Sequence, residues 1–345
     1  MSVALDVRAL RTSAALAPGD HLACVRVKGD GGHALLDRVS PRELFLRTGQ
    51  LLHTLLLDDD AAPVADVYLG CDEDDYLVIA EGMSGAEVCA YLSARAEGLA
   101  VELVDTSATH AFLCLGGPYA WEVLAEVTAP DVIGLPYLGF FHDPRFACFR
   151  GGKTGEYGYD LLVPRANLAA VRAQILEAGA RFEVAPISER ALEVAQLENA
   201  FWNARREVRP GLTPVELQLQ WRVTAGREFP GSAALEARRR AAATRTVLVA
   251  AAGELAEGAG IFAGERRIGE VLHAEWSPMR EDWLGLALVE RPLAHAGLVG
   301  LHADGGVACR TISAPALNNR SLYVDPQRHA WATRATDAFP PLVRA

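Results

Sequence analysis

The chain has 345 residues, with 33 Lys and Arg against 44 Asp and Glu and a formal net charge of −11. That length allows two or three domains and a core that needs no cross-links, while the negative charge disfavours nucleic acid, whose phosphates are gripped by clustered Lys and Arg. The six cysteines are dispersed, with no Cys-x-x-Cys and no His at metal-ligand spacing, so no metal site is expected and most of them read as reduced, buried thiols of a cytoplasmic protein.

At the N-terminus, MSVALDVRALRTSAALAPGD breaks each apolar stretch with Asp or Arg, which leaves no secretion-signal core. DHLACVRVKG reads as a strand, and VADVYLG and DDYLVIAEG as a strand pair joined through the acidic turn at 71–75. SGAEVCAYLSARAEG has helical spacing from a Ser84 cap to Gly98. AFLCLGG is a short strand, PYAWEVLAEV a helix with Pro118 near its first turn, YGYDLLVP a strand, and ANLAAVRAQILEAG a helix. A further helix is expected over SERALEVAQLENAFWNARRE, ending before Pro210.

Past EARRRAAATR, where Arg238, Arg239 and Arg240 read as a solvated helix face, the texture changes to short strands punctuated by Gly, as in a small β-barrel. The apolar stretch at 246–264 is interrupted by Glu254, Glu257 and several glycines, too short a run for a membrane helix. The expected organisation is therefore α+β, with a region at 1–243 and a C-terminal barrel domain at 244–345.

Familiar catalytic signatures are absent. GGKT at 151–154 ends like a phosphate loop, but that loop needs Gly five positions before Gly152, where this chain has Ala147, and should open a helix rather than the strand read here. GAGIFAG at 258–264 has the wrong spacing for a dinucleotide fingerprint, and no HExxH or GxSxG occurs.

The segments carry more in their order. FRGGKTGEYGYDLLVP, from Phe149, resembles RTGYTGExGFE of the folate-binding superfamily that includes the T-protein (aminomethyltransferase) of the glycine cleavage system. AFLCLGGPYAWEVL resembles that family's LxxxQGPxAxxvL with Gly116 in place of Gln, and ALEVAQLENAF resembles ALNxLRIExGF with Gln196 in place of Arg and Glu198 kept. TPVELQLQWRV, REFPGSAAL and RIGEVLHAEWSPMREDWLGLALV continue the series, so that the resemblance runs in the correct order from about residue 45 to residue 325.

The resemblance implies a three-domain ring, or cloverleaf, whose central hole receives tetrahydrofolate, with the barrel closing one side. It places folate contacts at Arg150, Thr154, Glu156, Tyr159 and Glu198, with Glu156 pairing with the pterin. HTLLLDDDAAPVADVYL aligns Ala65 and Asp66 with the family's Asp-Asp pair, leaving Asp66 as the candidate catalytic carboxylate. His53 takes the place of an aromatic that lies close to folate, which makes it a candidate acid/base partner of Asp66.

The family's opening segment, with Trp-x-Met-Pro, has no counterpart before VRALRTSAAL, which points to a small-molecule substrate rather than a carrier protein. Neither nucleic acid nor membrane is expected as a partner, and the sequence leaves the oligomeric state and the substrate open. The expected activity is transfer of a methyl or methylene carbon to or from tetrahydrofolate. The alternative is a non-catalytic folate-binding protein akin to those that maintain iron–sulfur clusters, which carry a functional Cys in a KGCYxGQE-type segment where this chain reads GGKTGEYG.

Overall fold

The computed structural model describes residues 2–343, Asp74 and Ala129 excepted. Helix α1 (Val3–Thr12) leads into β1 (Ala15–Pro18), β2 (Leu22–Lys28), α2 (Gly32–Val39), β3 (Gln50–Leu57), β4 (Pro63–Asp72), β5 (Asp75–Glu81), α3 (Gly85–Ser93), β6 (Glu102–Asp105) and β7 (His110–Gly116). Next come α4 (Ala120–Val127), β8 (Phe140–Asp143), β9 (Phe146–Arg150), β10 (Gly158–Pro164), α5 (Leu168–Gly179), β11 (Ala185–Pro186), α6 (Glu189–Glu198) and α7 (Ser232–Ala241). The last part holds β12 (Thr244–Ala251), β13 (Gly260–Ala263), β14 (Arg266–Ser277), β15 (Asp282–Glu290), β16 (Leu301–Ala303) and β17 (Val307–Ile312).

These strands form a five-stranded sheet in the order β3-β4-β5-β2-β6, a six-stranded sheet in the order β11-β1-β7-β10-β9-β8, and a closed barrel, β12-β15-β14-β13-β16-β17. The architecture is α+β with a C-terminal barrel, as expected. Among the described residues no helix is long and apolar enough to cross a membrane, and all six cysteines are unpaired thiols.

Alternation along the strands explains how the two open sheets pack. On β5, Val78 and Ala80 join the core under α2 and α3, while Leu77 and Ile79 point the other way and meet Phe112, Phe149 and Leu162 of the six-stranded sheet. The six-stranded sheet turns its opposite face, with Leu113, Leu115 and Leu161, to α4 and α5. Two sheets thus sit face to face between outer helices, and strands buried on both faces read as nearly continuous apolar runs. In the barrel Val247 and Val249 face the lumen, while Leu248 and Ala250 meet Leu197 and Ala316 outside it.

Two helix ends differ from expectation. The Ser84 cap is present, with the Ser84 hydroxyl accepting from Glu87 N–H at 3.3 Å and the Glu87 carboxylate accepting from Ser84 N–H at 2.7 Å, but α3 stops at Ser93 rather than Gly98. Helix α6 stops at Glu198, well short of Pro210, because Ala200 adopts a left-handed conformation (φ 51°). Phe201 N–H then donates back to the Gln196 carbonyl at 3.1 Å, a Schellman-type closure without the usual glycine. The basic run at 238–240 is helical, yet Arg238 reaches the fully buried carboxylate of Glu216 rather than only solvent.

His273 on β14 ties the barrel to the segment after α6. Its Nδ1 lies 3.0 Å from Glu207 Oε1, and both side chains are buried. Burial alone would lower its pKa, but the hydrogen bond with Glu207 and the nearby carboxylate of Glu275, 3.9 Å from Nε2, carry it to about 9. The folded-state value therefore exceeds the unfolded one, near 6.5. The associated stability, roughly 3 kcal/mol for a rise of that size, is fully present below about pH 6.5 and lost as pH climbs through 9. Urea midpoints measured between these limits should fall, and His273→Gln should flatten the slope.

Candidate functional site

Strand alternation also decides what meets between the sheets. On β4, Asp66 and Tyr68 share the face turned toward the six-stranded sheet, whereas Ala65, Val67 and Leu69 fill the helix-side core. Glu81 on β5 stands directly opposite Asp66, and His53 on β3 directly opposite Tyr68. The His53 and Tyr68 rings stack with centroids 4.4 Å apart.

Two carboxylates side by side on one sheet face repel each other, and cations from elsewhere in the chain converge on them. Lys153, in the turn between β9 and β10, places Nζ 3.0 Å from Asp66 Oδ2 and against the Glu81 carboxylate. Arg222, in the segment joining α6 to the barrel, donates from Nη1 to Asp66 Oδ1 at 2.6 Å. His53 Nε2 lies 2.7 Å from that same oxygen, and Arg205 Nε donates to Glu81 Oε1 at 3.3 Å. The structure thus brings Asp66 and His53 into contact and adds Lys153, Glu81, Tyr68 and Arg222, none of which the sequence singled out as site residues.

The electrostatics follow from burial and these partners. Burial raises the Asp66 pKa, but Arg222, then His53 and Lys153, more than offset it and hold the group well below the usual carboxylate range. For His53 burial wins over the pull of Asp66, so its pKa is lowered and the ring is neutral near pH 7. Burial likewise lowers Lys153, with Asp66 opposing.

The expected folate contacts fall largely into a second cluster. Arg11, fully buried on α1, donates to Glu198 Oε2 from Nε at 3.0 Å and Nη2 at 2.6 Å, to Glu156 Oε1 at 3.1 Å and to the Thr154 carbonyl at 2.6 Å. Glu156 also accepts from Arg320 N–H at 3.2 Å, from Ser321 N–H at 2.8 Å and from the Ser321 hydroxyl at 2.7 Å. The remaining oxygen of Glu198 accepts from Ser277 Oγ at 2.6 Å. Both carboxylates are sealed among protein donors, and their geometry is that of an anchor joining α1, the β9–β10 turn, α6 and the chain near residue 320.

Tyr159 faces the α4 and α5 core, on the opposite side of β10 from the junction. Arg150 stacks over Tyr157 at 5.2 Å and donates to the Leu135 carbonyl, at the edge of an open cleft.

One residue along, Asp160 shares the junction-facing side of β10 with Leu162. No cation forms an ion pair with it among the described residues; its cross-strand neighbour on β7 is Cys114. Burial raises its pKa to about 6, with Cys114 and Lys153 opposing. Asp160, Lys153, Gln196, Gly116, Glu81 and Tyr68 line a cavity of about 60 Å³. A cleft of about 460 Å³, lined by Arg150, Tyr157 and Phe201, shares Gly152 and Gly158 with that cavity. Another, of about 370 Å³ and lined by Trp202, Trp221 and Arg222, shares Asn199 and Phe201 with the second. Among the described residues no group of three or more His, Cys, Asp or Glu is disposed to hold a metal.

Comparison with known proteins adds a family context. The family model described as the GCVT N-terminal domain matches residues 1–227. The chain is 30% identical over 308 residues to an aminomethyltransferase of Geobacillus thermodenitrificans, spanning 86% of this chain and 84% of that one. It is 27% identical over 302 residues to an aminomethyltransferase of Bacillus cereus, with 84% and 82% covered. The crystal structure of glycine cleavage system aminomethyltransferase T from Bartonella henselae matches with a TM-score of 0.80 at 23% identity, covering 91% of this chain and 89% of that one, a likeness of fold.

Proposed function

This chain belongs to the family of the GCVT N-terminal domain, and on that premise we propose that it is a tetrahydrofolate-dependent one-carbon transferase acting on a small molecule, with Asp66 and His53 as its catalytic pair. The observation that carries the reading is the shared face between the sheets, where Asp66, held ionised, and Asp160, without a cation of its own, both point to the junction around Lys153 and Tyr68.

The residues there fit a reduced folate. Asp160 offers an unpaired carboxylate that can accept two neighbouring N–H groups of a pterin ring, a pattern that neutral side chains imitate poorly. The buried Tyr68 hydroxyl has no hydrogen-bond partner among the described residues, and the adjoining cleft of about 460 Å³ is of a size that holds a small cofactor. Four residues before Asp160, Glu156 has its oxygens occupied by Arg11, Arg320 and Ser321, so the pterin contact expected there is assigned to Asp160 instead.

When bound, folate supplies the nitrogen that carries the one-carbon unit. Asp66 provides fixed negative charge in a water-poor setting. His53, neutral and hydrogen-bonded to Asp66, can take up a proton from the reacting groups and return it.

Millimolar tetrahydrofolate should raise the melting temperature, since a ligand that binds only the folded state adds about 2.7 kcal/mol at a hundredfold excess over its dissociation constant. A melting temperature indifferent to it would count against the reading. Because Asp160 must be ionised to accept both N–H groups and titrates near 6 in the free protein, affinity should hold above that pH and fall about tenfold per unit below it. Asp160→Asn should weaken binding by about 1.5–3 kcal/mol and abolish that dependence. Calorimetry from pH 5 to pH 8 reads both effects.

A further inference from the structure

The lysine of GGKT holds no phosphate loop, yet it occupies the centre of the site. We infer that Lys153 is a built-in counter-cation that decides substrate charge: the second substrate presents a neutral or anionic reacting group, and a protonated amine is excluded. The inference rests on the one-carbon reading above for what the site does, and on geometry for its charge.

Asp66 and Glu81 are cross-strand neighbours on β4 and β5, both side chains 2% exposed. Such a pair forms a strong attractor for a cation. In a site built for a cationic amine, that attractor would be left open to the cavity. Here Lys153 closes it, with Nζ touching both carboxylates, and the residue lines the cavity.

Each acceptor oxygen of the pair is already matched. Asp66 Oδ1 has His53 and Arg222, Asp66 Oδ2 has Lys153, Glu81 Oε2 has Lys153, and Glu81 Oε1 has Arg205. Arg205 is also engaged with Glu189 and Glu193. With His53 neutral, the two buried carboxylates, Lys153 and Arg222 sum to zero.

A cation entering the cavity would meet the Lys153 ammonium with no free acceptor on Asp66 or Glu81, a strongly unfavourable position for a buried charge. Asp160, the other carboxylate of the cavity, is the group assigned to folate. A neutral donor or acceptor meets no such barrier, and an anion has Lys153 before it.

The probe is methylammonium chloride, the smallest protonated amine close to the lysine head group, compared with sodium chloride at equal ionic strength. Thermal unfolding is followed for three full-length variants: D160N, which removes the cavity carboxylate that has no ion pair among the described residues, D160N/K153A and D160N/K153R. D160N and D160N/K153R should be indifferent to methylammonium, whereas D160N/K153A, with a vacated anionic pocket, should be stabilised saturably and bind it at least about tenfold more tightly than D160N. Equal stabilisation of D160N, or none of D160N/K153A beyond the salt control, overturns the inference. If D160N/K153A does not fold, K153Q is compared with E81Q/K153Q: restored charge balance should make the double variant the more stable, and the reverse order overturns the inference. Tetrahydrofolate binding is measured on the wild type. Its absence would strike the one-carbon reading and leave the methylammonium contrast standing, so the two failures are told apart.

Discussion

Asp66→Asn is expected to leave tetrahydrofolate affinity within a few-fold and to lower turnover by about 10²–10⁴, the usual contribution of one positioned acid or base. The amide keeps an oxygen for Arg222 or His53 and keeps the shape of β4, but it removes the negative charge that balances Lys153 and Arg222. Some stability is lost with it, so turnover must be compared at a temperature where both proteins are folded. His53→Phe preserves the stack on Tyr68 while deleting the imidazole. If His53 and Asp66 act as a unit, the double variant will be little worse than either single one. Losses that multiply would make His53 a packing residue, and full activity of Asp66→Asn would remove the carboxylate from the mechanism.

Arg11→Met should cost about 3–5 kcal/mol of stability, because it strands two fully buried carboxylates without their cation. Methionine fills much of the aliphatic volume, so the loss reports charge and hydrogen bonds rather than a void. Pairing it with Glu198→Gln should recover part of the loss, as one stranded charge disappears. Urea denaturation of the two single variants and the double variant measures the coupling. Additive losses would show that the carboxylates find other partners.

Much of the fold was legible before any coordinates. The β4–β5 pair through the acidic turn was readable from its apolar runs and turn residues, although Asp74 within that turn lies outside the described residues; the Ser84 cap and the late change to short strands were readable too. Asp66 stood out as a lone acid in an apolar strand, and that pattern survives in the structure as a carboxylate held between sheets. The ordered family segments pointed to the ring architecture where no single motif could.

What remained hidden depends on which face of an element is used. Residues 158–164 are flanked by apolar positions on both sides, since the strand is buried on both, so nothing in the alternation says that Asp160 rather than Tyr159 looks into the junction. Glu156 and Glu198 match family positions, but their engagement depends on Arg11, 145 and 187 residues away in sequence, in a segment without a motif. Lys153 sits in a segment that fails as a phosphate cradle; the signal that points to it is Glu81 opposite Asp66, which demands a cation. Helix α6 ends at Glu198, through the left-handed Ala200, without a glycine to announce it, a case where tertiary packing overrides local preference.

The anchor around Arg11 also bears on how the protein is made. Arg11 leaves the ribosome well before its partners Glu156, Glu198 and Asn319 are added. At roughly 5–20 residues per second, α1 waits about 10–40 s for Glu198 alone. During that interval the nascent helix lacks the Glu198 carboxylate, and its apolar stripe, Val7 and Leu10, lacks the cover that α6 supplies through Ala191, Val194 and Ala195. Helix α1 therefore completes its docking only after α6 is made, and until then the half-made chain presents it as a handle for whatever factors attend it during synthesis.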